Sequence, residues 1–253
     1  KAQQQKESRK ENKSWIPTAM PELSLSGNVS YNRIDDNTIA GMYNTFIPYT
    51  SLVEDVNVQA LNNAWIGSYA GSSSITNSYY DTSANSGTTN NSTPGNETPP
   101  KNKPVISGAA SASVTINSIS GVTLAYIDDS SLFLAGDLTV LADTSQLIIG
   151  IATAGSISVS RNNSGFGVAG SVSVNLLDSD TEAYVTDSFI NVDGMISIMA
   201  VDNNIIGAGA GSLSVSVATN DKKNSTDTAD AKTQAAVSVS PAVAVSIVDS
   251  TVL

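Results

Sequence analysis

The 253-residue chain contains no cysteine and no histidine. Without thiols there is no disulfide frame, no thiol redox chemistry and no Cys-based zinc site. Without imidazole the commonest acid–base group at neutral pH is missing, and no Ser–His triad can form despite abundant serine. Aromatic residues make up only 6% against 40% hydrophobic residues overall, so Val, Ile, Ala, Ser and Gly must do the filling. That composition suits thin, regularly stacked layers better than a bulky globular centre. No stretch reads as a transmembrane helix: the uncharged run 203–220 is rich in Gly and Ser and alternates with period two. No apolar leader is visible near Lys1. The final residues, SPAVAVSIVDSTVL, stop inside a strand-like pattern, so the chain reads as part of a longer polypeptide. A chain without cysteine is compatible with the cytosol and with secretion by a route that avoids disulfides.

Positive charge is also scarce. Twelve Lys and Arg face 23 Asp and Glu, for a net charge of −11. Most of the bases lie in an N-terminal tail (Lys1, Lys6, Arg9, Lys10, Lys13) or in two hydrophilic segments (Lys101, Lys103, Lys222, Lys223, Lys232). Only Arg33 and Arg161 remain for the rest of the chain. Such a surface repels nucleic acid and anionic lipid, so neither nucleic-acid binding nor membrane insertion is expected. The basic tail, residues 1–14, reads as a solvated linker.

What is present is repetition. Aligned on Asn32, Asn117 and Asn175, three copies carry Thr38, Thr123 and Thr181 six residues on. Ala40, Ala125 and Ala183 follow, then Tyr126 and Tyr184 with Gly41 in their place in the first copy. Met42, Ile127 and Val185 come next. Asn57 to Ala60 matches Thr139 to Ala142 and Ser197 to Ala200. Each copy closes on Ala-Gly-Ser at Ala70, Ala154 and Ala210. Asn117 and Asn175 stand 58 residues apart.

A finer grain lies within the copies. The triplet apolar–small polar–apolar recurs, as in Val114-Thr-Ile116, Leu138-Thr-Val140, Ile157-Ser-Val159, Val172-Ser-Val174 and Leu213-Ser-Val215. Side chains of a strand alternate between faces, so each triplet sends its apolar pair to one side and its hydroxyl to the other. Turn formers such as Asp178-Ser-Asp180, Asp193-Gly194 and Asp202-Asn203-Asn204 separate the triplets. Helical periodicity is not sustained after Ser14. The spacing predicts coils of about 20 residues that bury their apolar faces by stacking, three coils to a copy. The expectation is an all-β chain forming a right-handed parallel β-helix of about 9–10 coils with two polar insertions.

The organisation follows: repeat 1 over 15–76, repeat 2 over 104–159, repeat 3 over 160–218 and the start of a truncated repeat 4 over 234–253. The insertions are residues 77–103, low in complexity and rich in Pro, and 219–233, polar with balanced charge. Both follow the Ala-Gly-Ser strand, so both should emerge on one face, as inert spacers or as a binding surface. Two other folds share the pattern. A transmembrane β-barrel lacks its aromatic girdles here, and a β-sandwich fits the short strands but not the spacing within copies.

Chemistry is thin. Asp35 and Asp36, and Asp178 and Asp180, group on what read as acidic turns and are candidates for calcium. The second copy has Ser120-Gly121 there, so solvated turns are the simpler reading. Paired carboxylates also serve glycoside cleavage, but such enzymes need a basic residue near the substrate's acid group or an aromatic-lined groove, and the repeat body offers only Arg33 and Arg161. No catalytic, metal or cofactor-binding residue is assigned, and no cofactor is expected. The marker asparagines Asn32, Asn117 and Asn175 read either as inward amides that bond along the stack or as caps of the turn that follows; caps are the preferred reading, since copies three coils apart do not touch. Tyr126 and Tyr184 read as core or rim residues. Sequons at Asn91, Asn96 and Asn224 are read as chance.

The run AGSVSVNLLDSDTEAYVTDSFINVDG, followed by ISIMAVDNNIIGAGAGSLSVSVA, resembles the repeats of leukotoxin-type filamentous adhesins, very large haemagglutinin-like proteins of Gram-negative bacteria. The likeness spans 104–218 well, 15–76 weakly and 234–253 as a truncated start. It implies a right-handed β-helix exported by two-partner secretion or an autotransporter route, located extracellularly or on the outer-membrane surface. It implies attachment to a host-cell surface protein or glycan or to neighbouring bacterial cells, and in some members toxicity to leukocytes. It carries no catalytic residue. The expected role is a non-enzymatic adhesin segment in which coil after coil makes length. A polysaccharide-active β-helix enzyme and a cytotoxic passenger segment are the alternatives.

Overall fold

A computed structural model describes residues 22–51, 53–79, 106–161, 164–219 and 235–253. All its regular structure is strand: β1 (Glu22–Tyr43), β2 (Phe46–Ile47), β3 (Val56–Tyr79), β4 (Ile106–Asp128), β5 (Ser131–Leu134), β6 (Leu138–Arg161), β7 (Ser164–Thr186), β8 (Phe189–Val192), β9 (Ile196–Thr219), β10 (Ala236–Val239) and β11 (Ala242–Val252). They form three parallel sheets. The first has the order β1-β4-β7 and is extended by β10 and β11 on β7. A short corner sheet has the order β2-β5-β8, and the second long sheet β3-β6-β9. The first and second sheets pack face to face. This is a parallel β-helix, and among the described residues no closed barrel is formed.

The coil, however, is not 20 residues long. One whole 58-residue copy makes one coil, so the described residues hold three complete coils and the beginning of a fourth, in place of the nine to ten expected. Each coil is a strand of 22–23 residues, a short corner strand and a strand of 24 residues; only two residues are corner strand in the first coil. The shortfall has a plain cause. Asp178-Ser-Asp180 lies inside β7 and Asp202-Asn203-Asn204 inside β9, whereas only Asp193-Gly194 stands at a corner. Polar residues tolerate a strand when one face is solvated and the other finds hydrogen-bond partners.

Corners use a different chemistry. Asn44, Asp129 and Asp187 occupy the same place in successive coils, and all three adopt positive φ (46–48°). Asn and Asp are the non-glycine residues that best tolerate this conformation. The next residue braces the turn: the Ser130 hydroxyl donates to the Asp128 carbonyl and accepts from the Thr45 amide of the coil before. Ser188 repeats this on Thr186 and Ser130. At the second corner Asp55 accepts from the Asp137 amide, and Asp137 from the Met195 amide.

The interior is zoned. Beside the corner sheet, Ala125, Ile127, Leu132, Leu134, Leu138 and Val140 form an apolar core, and Ile66, Ile119, Ile148 and Leu177 form a second. Farther along, the inward row is Asn117, Thr115, Ser113, Ser111 and Ser107, facing Ser156, Ser158 and Ser160. There Val114, Ile116, Val172 and Val174 point outward. The alternation in sequence predicts a buried apolar face. That holds for Leu138-Thr-Val140 and is inverted for Val114-Thr-Ile116, Ile157-Ser-Val159, Val172-Ser-Val174 and Leu213-Ser-Val215.

Inversion is sustained by ladders. Because each copy is one coil, equivalent residues sit on adjacent strands about 4.8 Å apart. Asn32 Nδ2 donates to Asn117 Oδ1 at 2.9 Å, and Asn117 Nδ2 to Asn175 Oδ1 at 2.8 Å. Asn175 Nδ2 donates across to the Gly207 carbonyl. The marker asparagines are therefore a buried amide ladder and not turn caps. Thr115 bonds Ser173 at 2.9 Å, and Ser156 bonds Ser214 at 3.0 Å. Gly150 makes room for this: a Cβ there would stand 2.6 Å from both Asn117 Nδ2 and Asn175 Oδ1.

Candidate interaction surface

Asp35 and Asp36 lie in mid-β1, and Asp178 and Asp180 in mid-β7, so they are strand residues and not turns. Asp35 and Asp178 share a row but Ser120 stands between them. Asp35 is ion-paired with Arg33 at 2.8 Å and accepts from Ser120 at 2.6 Å. The Ser120 hydroxyl and then Arg33 hold its carboxyl below the usual range, and Asp35 in turn raises Arg33. Among the described residues no three His, Cys, Asp or Glu side chains gather to hold a metal ion. No helix among them is long and apolar enough to cross a membrane.

Tyr126 and Tyr184 are rim residues, stacked on each other with centroids 5.8 Å apart. Gly41 replaces tyrosine in the first coil because the Tyr126 ring lies over it. Asn44, Asp129 and Asp187 edge a shallow hollow beside Phe46 and Phe189 at the first corner. The two inserted segments lie outside the described residues, but their anchors are placed. Tyr79, Arg161 and Thr219 end β3, β6 and β9 in register, so all three connections from second sheet to first leave one corner.

Among the described residues one partly buried carboxylate has its pKa raised. Asp202 continues the inward row Asn62–Thr144, where burial raises its pKa against hydrogen bonds from Ser179, Asn204 and Ser250. Ser179 donates to it at 3.1 Å. In sequence, Asp202-Asn203-Asn204 has turn-forming chemistry; the match of Asp202 to Thr144 in the repeat is the signal that places it inside.

The most distinctive surface is the outer face of the second sheet. It follows from the inverted alternation: Trp65, Leu147 and Ile205 form one outward row, and Ile75, Ile157 and Val215 another. Trp65 is 68% exposed and Tyr69 66%. Each ring folds along its own strand over a glycine, Trp65 over Gly67 and Tyr69 over Gly71. From Trp65 to Asn77 in the first coil, and over the matching positions 147–159 and 205–217, no outward residue is charged. In a chain of net charge −11, that is a bare apolar face far larger than scattered surface hydrophobics. Trp65 and Tyr69 had no repeat partner in the sequence, so repeat matching passed over them.

No protein-family model, no curated protein and no solved structure matches the chain.

Proposed function

We propose that the chain is a segment of the β-helical body of a large secreted or surface-attached bacterial adhesin, a structural and binding module without enzymatic activity. Its partners are a host-cell surface protein or glycan, or neighbouring bacterial cells, and its place is extracellular or on the outer-membrane surface. The observation that carries this reading is the shared corner. Every connection from second sheet to first departs from one edge of the stack, and the two long insertions are anchored there. A rigid body that holds variable segments along one edge is a common plan for presenting binding loops. The resemblance of 104–218 to filamentous adhesin repeats supports the same reading, as does a cysteine-free composition suited to export. The test is binding of the chain to epithelial cells and leukocytes, compared with a variant lacking 77–103 and 219–233. The trimmed variant should keep its β circular dichroism and lose binding. Equal binding by both would move adhesion to the coil faces, and binding by neither would refute an adhesive role for this segment.

A further inference from the structure

The outer face of the second sheet carries knobs in one coil and hollows in another. In the first coil the Trp65 ring covers position 67 and the Tyr69 ring covers position 71. In the third coil the matching residues are Gly207 and Gly211, and neither has any atom within 4 Å of where a Cβ would stand. Gly209 holds the position that matches Tyr69. The trade runs both ways: Leu213, 65% exposed, matches Ser73 in the first coil. The middle coil presents Leu147, Ile149, Ile151 and Ile157 as a ridge.

We infer that this face pairs with the same face of a second copy of the chain, about a two-fold axis running along β6. Such an axis keeps position along the strand and exchanges first coil for third. Trp65 of each copy then meets Gly207 of its partner, Tyr69 meets Gly211, and Leu213 meets Ser73. Ile149 and Ile151 meet their own counterparts, as an isologous interface requires. Seven outward positions on each of three strands, at about 32 Å² per side chain from strand spacings, give about 670 Å² per copy. Two copies bury about 1,300 Å², within the range of specific stable interfaces. Absence of charge removes the desolvation cost that would otherwise oppose the contact, and aromatic side chains seated over open glycine positions are the usual kind of binding anchor.

Sedimentation equilibrium of the whole chain tests this, with circular dichroism as the check on folding. The chain should be dimeric. Gly207→Arg with Gly211→Arg should yield folded monomer, since both positions have open space, and Trp65→Ala with Tyr69→Ala should weaken association at least tenfold. Because the chain has no native thiol, Gly155→Cys on the axis row should form a covalent dimer with a short bismaleimide. Ala112→Cys, on the outer face of the first sheet, should not. A chain that stays monomeric at its highest soluble concentration overturns the inference. So does a dimer that survives both arginines, or one that cross-links through Ala112 and not Gly155.

Discussion

Replacing Asn117 by alanine tests the amide ladder directly. Asn117 is fully buried, accepts from Asn32 and donates to Asn175. Alanine leaves the buried Asn175 Oδ1 without its donor, at about 1–3 kcal/mol. Asn32 Nδ2 keeps its 3.2 Å bond to Ser30, so its loss adds less than about 1 kcal/mol. A residual cavity of roughly 35 Å³ adds about 0.8 kcal/mol. The total is about 2–5 kcal/mol, read as a lower urea midpoint at unchanged slope. Asn32→Ala, at the half-exposed end of the row, should cost about 1 kcal/mol, because water reaches the freed groups. Turn caps would behave otherwise: all three asparagines would cost about 1 kcal/mol alike. Equal, small losses at Asn32 and Asn117 would therefore refute the ladder. Asn117→Asp sharpens the test. A carboxylate has no proton for Asn175 Oδ1, so the variant should be worse than alanine at neutral pH and recover in acid as the carboxyl gains a donor.

Gly150→Ala should destabilise the fold by about 1–3 kcal/mol through crowding of Asn117, Asn175 and Ser173, whereas Gly155→Ala, which meets nothing, should stay within about 0.5 kcal/mol in the same urea assay. Asp202 has its pKa raised by burial, so the folded state binds its proton more tightly than the unfolded state. Its effect on stability is therefore unfavourable above the folded pKa and fades as pH falls through the folded and then the unfolded pKa. Asp202→Asn should raise the urea midpoint at neutral pH and leave it unchanged in acid; an equal shift at both would discount titration. Asp35 is perturbed in the opposite sense, so its contribution is present above the unfolded pKa and is lost as pH falls through the folded one. Ser120→Ala should bring its titration, followed by NMR, back toward the ordinary carboxylate value.

Much of the register was readable from the repeats. The rows Asn32–Asn117–Asn175, Thr38–Thr123–Thr181 and Ala40–Ala125–Ala183 are the ones the sheets pair. So are Asn57 to Ala60 with Thr139 to Ala142 and Ser197 to Ala200. The Ala-Gly-Ser match was off by two in the second copy: Ala70 and Ala210 both pair with Ala152, not Ala154. Two residues is the strand period, so that slip preserved which side chains face inward. Period, however, says nothing about which face is inside. Val114-Thr-Ile116 and Leu138-Thr-Val140 read identically yet point opposite ways, because a Ser, Thr or Asn row can be buried once its own copy lies on the next strand. The coil length was missed for a related reason: Asp178 and Asp202 have turn-forming chemistry, and only long-range pairing holds them in strands. The outer face of the second sheet escaped because its anchors are the positions where the copies differ.

A coil that consumes 58 residues and advances by about 4.8 Å is a poor way to build reach. On that arithmetic, 100 Å of advance takes about 1,200 residues. What such a chain builds generously is width, since a 24-residue strand runs to about 80 Å along its path. The resulting body is a plank more than a rod. Planks resist bending across their width and yield through their thickness, so side load would be borne along the strands and flexing would occur about them. Every added coil also widens two flanks by a full strand, which makes surface, rather than span, the quantity that repetition multiplies.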